Sequence, residues 1–148
     1  MKHYYPAVFW EKGSNLKGYN IQVPDLGGCF SMGDDMDECL WMAHEAIGCM
    51  LEDVDEKDYP APSDIGDVDL SDFPEGAFVK VVCFDKEKYD ADNANLIKTA
   101  SERAGLNIKQ TAELLGAPYR TIQSWFNGTR TPPPWIERLV VEKIYSSM

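Results

Sequence analysis

One spacing pattern constrains the fold more than any other feature. In "AELLGAPYRTIQSWFNGTR", Ala112 lies four residues before Gly116, Gly116 six before Ile122, and Ile122 three before Trp125. A small side chain at 112 lets two helices approach closely. Glycine at 116 permits the tight turn between them, and Ile122 with Trp125 forms one apolar face that plugs the core below. The flanking sequence fits the same plan. "NANLIKTASERAG" predicts a helix with Leu96, Ile97, Ala100 and Ala104 inward and Gly105 as its stop. Asn107 and Gln110 form an N-x-x-Q start signal, close to a capping box, for the helix "IKQTAELL". The next helix begins near Pro118, a residue tolerated in a first turn, and ends at Asn127-Gly128. "PPPWIERLVVEKIYSS" predicts a final helix with Ile136, Leu139, Val140 and Ile144 on its apolar face. The C-terminal part therefore reads as all-α.

The N-terminal part follows a different period. "YYPAVFW" (Tyr4 to Trp10) is aromatic and branched, as strands are. After the turn "EKGSNLKG", "YNIQVPDL" alternates Tyr19, Ile21 and Val23 against Asn20 and Gln22, a strand with one buried face. "GGCFSMG" (Gly27 to Gly33) predicts a third strand. Asp35 and Glu38 then form a capping-box pattern. Met36, Cys39, Leu40, Ala43, Ile47, Met50, Leu51 and Val54 give an amphipathic helix ending near Glu56. Residues 57–77, rich in Pro, Asp and Gly, read as a surface loop, and "FVKVVCF" (Phe78 to Phe84) as the last strand. The fold class expected is α+β: a β-β-β-α-β domain over 1–91, then an all-α domain over 92–148.

Charge divides the chain at the same place. The whole carries a net −11. Residues 1–91 hold 20 acidic against 7 basic residues, whereas residues 92–148 hold 5 against 7. An acidic module joined to a mildly basic one suggests two different partners.

Little points to catalysis. The cysteines, Cys29, Cys39, Cys49 and Cys83, show no C-x-x-C spacing, and His3 and His44 fit no zinc pattern. Reduced, buried thiols are expected. Asp34, Asp35 and Asp37 lie at a predicted helix start, where acids suit the positive end of the helix dipole, so no metal site is read there. No nucleophile–base pair stands out, and neither a catalytic site nor a cofactor is expected. No apolar run approaches the ~18 residues of a membrane span. "MKHYYPAVFW" lacks the apolar core and cleavage site of a signal peptide, so a cytoplasmic protein is expected.

Two resemblances sharpen the reading. The "YPAVF" strand, the "GY-x-I-x-V-PDL" hairpin region, "GD" before the helix and "YPAPS" (Tyr59 to Ser63) occur in an order similar to the N-terminal domain of HicB-type antitoxins, over roughly residues 4–86. The resemblance implies a truncated ribonuclease-H-like fold, generally non-catalytic, that binds and neutralises a small basic HicA toxin, an RNA-cleaving protein. A ribonuclease H carries a carboxylate in its first strand, and "YYPAVFW" has none. Asp34, Asp35 and Asp37 are the candidate toxin contacts.

The C-terminal spacing, with its trailing "W-x-N-G-x-R-x-P" segment, resembles the helix-turn-helix of phage-repressor-type DNA-binding proteins over about residues 95–145. Tyr119, Arg120, Gln123 and Ser124 would line the exposed face of the third helix, with side chains able to hydrogen-bond base edges or phosphates. By that resemblance Tyr119, Arg120 and Ser124 occupy base-reading positions, and Thr111, Asn127 and Arg130 are placed for phosphate. Pro118 departs from the Ser or Thr usual there and leaves the helix without a side-chain cap. The implied protein is an antitoxin that also represses its own operon on operator DNA, as a homodimer or dimer of dimers, because paired half-sites call for paired readers. The alternative is a one-component repressor whose N-terminal domain senses a small molecule; a nuclease on a ribonuclease-H-like scaffold is a third.

Overall fold

The computed structural model describes residues 1–148. The chain is a mixed α+β protein that divides into two units, Met1–Tyr89 and Asp90–Met148. In the first unit, strands β1 (Lys2–Glu11), β2 (Tyr19–Gln22) and β3 (Phe30–Gly33) precede helix α1 (Met36–Leu51), and strand β4 (Phe78–Asp85) follows it. The four strands form one antiparallel sheet in the order β3-β2-β1-β4.

β1 holds the sheet together. Tyr5 pairs with Val82, and Phe9 pairs with Phe78 on one side and Ile21 on the other. Tyr5, Ala7 and Phe9 point to one face, where they join Ile21, Val82 and Phe84 in a core against Cys39, Ala43, Ile47 and Leu51 of α1. Pro6 is tolerated inside this strand because β2 reaches back only to Val8, leaving β4 as the neighbour beside the proline. The Tyr5 hydroxyl donates to the Pro60 carbonyl at 2.7 Å and so fastens the Pro-rich loop to the core.

Local signals account for the limits of α1. Asp35 caps it, accepting the Glu38 amide at 2.8 Å. Glu38 reaches back to the amide of Asp34 at 3.0 Å, one residue earlier than a strict capping box. The helix stops at Leu51 rather than near Glu56. Glu52, Asp53 and Asp55 follow with no basic residue in the last turn, and acids are unfavourable at the negative end of a helix. His44 is buried in α1 between two partners: the Asp85 amide donates to its Nε2 at 3.2 Å, which leaves Nδ1 to donate to Glu45 at 3.1 Å. The loop after α1 contains two single 3₁₀ turns, Glu56–Asp58 and Ile65–Asp67.

A helix not expected from the sequence, α2 (Lys86–Ala94), spans the division between the units. The second unit then contains α3 (Leu96–Arg103), α4 (Ile108–Leu115), α5 (Tyr119–Asn127) and α6 (Pro134–Ser146). Ile97, Ala100 and Ile144 are its buried centre, with Leu114, Trp125, Phe126 and Val140 packed around them. Leu96, expected inward, is exposed, because α3 starts only there and Asn95 serves as its cap. No helix of the protein is long and apolar enough to cross a membrane.

Candidate functional site

The most sharply built surface lies on α5. α4 opens with a complete capping box between Asn107 and Gln110 and closes at Gly116, whose φ of 65° is left-handed. The Ala117 amide reaches the Ala112 carbonyl at 3.0 Å and the Gly116 amide reaches Glu113 at 3.3 Å, the paired bonds of a Schellman stop. Only a residue without a Cβ takes this turn cheaply. Pro118 stands just outside α5 in extended conformation and gives it no side-chain cap. Ile122 is fully buried and Trp125 packs into the core, which fixes the helix's rotation. A second anchor holds its far end. The Asn95 side-chain amide donates to the carbonyls of Trp125 at 2.9 Å and Phe126 at 3.2 Å, while its oxygen caps α3 by accepting the Lys98 amide. Asn95 thus satisfies open groups at the ends of two helices.

With α5 so oriented, Tyr119, Arg120 and Gln123 are exposed together, within about one turn. Ser124 is half-buried and its hydroxyl donates to the Arg120 carbonyl at 2.8 Å, so its proton is already committed. Asn127 is exposed, but its side-chain oxygen accepts the Thr129 amide at 3.0 Å and hydroxyl at 2.7 Å, shaping the turn at Gly128. Arg130 is exposed just past that turn. Thr111 leaves the set. It is fully buried, and its hydroxyl donates to the Asn107 carbonyl four residues back at 2.8 Å. That bond lets a polar residue enter the core without an unsatisfied group. A phosphate could not reach it.

In the first unit the three aspartates take separate positions. Asp34 is exposed and pairs with Lys12 at 3.1 Å. Asp35 is the α1 cap, and Asp37 is exposed in the first turn. No group of three or more His, Cys, Asp or Glu side chains is arranged to hold a metal ion. All four cysteines are free, but only Cys29 and Cys39 are buried; Cys49 and Cys83 are exposed, against expectation. Burial pushes the Cys29 thiol up to about 11, and burial also raises Cys39. The Asp25 carboxylate accepts the Ser63 amide at 2.7 Å and hydroxyl at 2.6 Å, tying the loop after "YPAP" to the turn that follows β2. Nothing local in the sequence marks that tie, since its partners lie 38 residues apart.

Comparisons with known proteins bear on both units. A family model described as HicB-like antitoxin of bacterial toxin-antitoxin system matches residues 5–114. A curated relative, an uncharacterized 14.9 kDa protein in the rep-hol intergenic region of Haemophilus phage HP1, is 44% identical over 45 residues. That match spans 30% of this chain and 34% of the relative, about a third of its length. Among solved structures, a chain of a toxin-antitoxin complex from Streptococcus pneumoniae is similar with a TM-score of 0.50 and 25% identity. The likeness covers 76% of this chain and 95% of that one.

Proposed function

Because the chain belongs to the HicB-like antitoxin family of bacterial toxin-antitoxin systems, we propose that it is a two-part antitoxin with one partner for each unit. The first unit, a truncated ribonuclease-H-like domain in this reading, binds and neutralises a small basic HicA-type mRNA-cleaving toxin. The second is a helix-turn-helix domain that binds operator DNA and represses the operon. The observation that carries the second half is the set of Tyr119, Arg120 and Gln123 exposed on a helix whose rotation Ile122 and Asn95 fix from behind. The acid of residues 1–91 supports the first half. Complementary charge speeds capture of a basic partner more than it sets final affinity. Inhibition then comes from covering the toxin, with no chemistry by this chain.

Two copies pair on DNA in this reading. Trp135 and Leu139 are exposed one turn apart on α6, at 64% and 56%, and supply an apolar surface for that pairing. Co-purification with the product of the neighbouring gene, followed by a gel-shift assay on the operon's own promoter, tests the whole. A stable complex and a sequence-specific shift are expected. Failure to retain the neighbour refutes the toxin half; a shift that unrelated DNA competes away equally refutes the operator half.

A further inference from the structure

The acid of the first unit is not spread evenly. From Asp58 to Val79 the chain carries Asp58, Asp64, Asp67, Asp69, Asp72 and Glu75 with no lysine or arginine among them. The later part of this loop, from Asp67 to Pro74, forms one side of an open cavity of about 510 Å³ beside Trp10, Gln22 and Phe30, which alternate to the face of the sheet opposite the α1 core. The sheet contributes Trp10, Gln22 and Phe30; the loop contributes Val68, Phe73 and Pro74. The Trp10 and Phe73 rings stand 5.5 Å apart at 51°, and Phe30 is 61% exposed beside them. Asp25, Asp67, Asp69 and Asp72 also line it.

These carboxylates differ in how far they are already used. Ser63 occupies both oxygens of Asp25, so Asp25 positions the loop. The Ser71 amide engages Asp69 at 2.9 Å. No ion pair involves Asp67, Asp69 or Asp72. Unneutralised carboxylates thus face a cavity walled by aromatic rings. That pairing suits one chemical group above others. A guanidinium is planar, stacks on an aromatic face and still presents its N–H fork to carboxylates, whereas a lysine ammonium is a strongly hydrated point charge.

We propose that this cavity is the toxin-recognition pocket of the first unit and receives one arginine side chain of the toxin. Phe30, 61% exposed beside the Trp10–Phe73 pair, stacks on the guanidinium, and Asp67 and Asp72 accept its hydrogen bonds. The proposal rests on the reading of the first unit as the toxin-binding part. It moves the contact surface from the start of α1, where Asp34 is paired with Lys12 and Asp35 caps the helix, to the opposite face of the sheet.

The test measures binding of the full-length chain to its co-encoded toxin by titration calorimetry. The double variant Asp67→Asn with Asp72→Asn, and separately Phe30→Ser, should each weaken binding about tenfold or more while leaving the melting temperature unchanged. Both alter exposed residues, so folding is preserved. Asp34→Asn with Asp37→Asn should leave affinity within about twofold, an exposed-charge effect. A scan of toxin arginines to alanine should find one whose loss is non-additive with the Asp67/Asp72 change. If the wild-type chain binds and the Asp67/Asp72 and Phe30 variants bind equally well, or no toxin arginine couples to the pocket, the pocket is wrong and the proposed function stands. If the wild-type chain does not bind the toxin at all, both fall.

Discussion

In the proposed function, Arg120 is the residue on which sequence-specific reading turns. It is exposed at the start of α5, and a guanidinium can pair bidentately with the major-groove edge of guanine. Arg120→Ala should weaken operator binding by about 1–3 kcal/mol and relax preference at one base pair, measured by fluorescence anisotropy on single-substituted operators. Unchanged affinity and preference would remove α5 as the reader. The cysteines make a second residue-scale prediction. Only a thiolate alkylates readily, and burial holds Cys29 near 11 while raising Cys39 as well. Iodoacetamide at neutral pH should therefore label Cys49 and Cys83 first, with Cys29 and Cys39 labelled only on unfolding; mass spectrometry of timed samples would show the order. Thr111 marks a limit of residue-by-residue reading. Its type suits phosphate contact, yet the free carbonyl of Asn107 four residues back takes its hydroxyl and lets it sit in the core.

At the scale of elements, legibility follows how strongly burial is written into local pattern. β2 carries a period-two signal and α1 a helical one, β1 is marked by its aromatic and branched residues, and Asp35 and Asn107 cap where their sequence says they should. α2 has no such signal: "KEKYDADNA" buries no residue, so nothing periodic betrays it, and its start rests on Asp85 accepting the Lys88 amide at 3.2 Å. The double role of Asn95 was equally silent, because its second pair of bonds goes to residues 30 and 31 positions away. Of the candidate DNA surface, Tyr119, Arg120 and Gln123 were readable as exposed because Ile122 and Trp125 define the opposite face. The cavity at Trp10 and Phe73 was not, since only the folded loop brings its walls together. Gly18 tests one close approach. Its φ is 97°, and an added Cβ would strike the Gly33 carbonyl and lie 2.6 Å from the Asp34 Cα. Gly18→Ala should cost on the order of 2–4 kcal/mol in chemical denaturation, from backbone strain and overpacking together. Acid tests another element. The hydrogen bond from His3 to Glu56, at 2.9 Å, holds the Glu56 carboxyl below its ordinary range and joins the 3₁₀ turn to β1. A depressed carboxyl contributes stability above its unfolded pKa of about 4.3 and loses it as pH falls through the folded value. Melting curves between neutral pH and that acid range should fall less steeply for Glu56→Gln than for the wild type.

For the whole molecule, the division into two units is the feature with the most direct experimental handle. A fragment of residues 1–91 should bind the toxin and fail to shift operator DNA, because every candidate DNA contact lies beyond it. A fragment that cannot bind a toxin retained by the full chain would show that the units share that task. The two units also differ in how far along the chain their contacts reach. In the second unit α3 packs on α6, bringing Ile97 to Ile144 across 47 residues, whereas β1 reaches farther and pairs Lys2 with Asp85 and Phe9 with Phe78. Long-range pairing of that kind is intrinsically slow and leaves a strand without its partner until the distant segment arrives. The Lys2–Ala7 half of β1 pairs only with β4, so it stays unpartnered until the segment ending at Asp85 is available. In the proposed function, a newborn copy cannot yet restrain its toxin until that segment has been made and has paired.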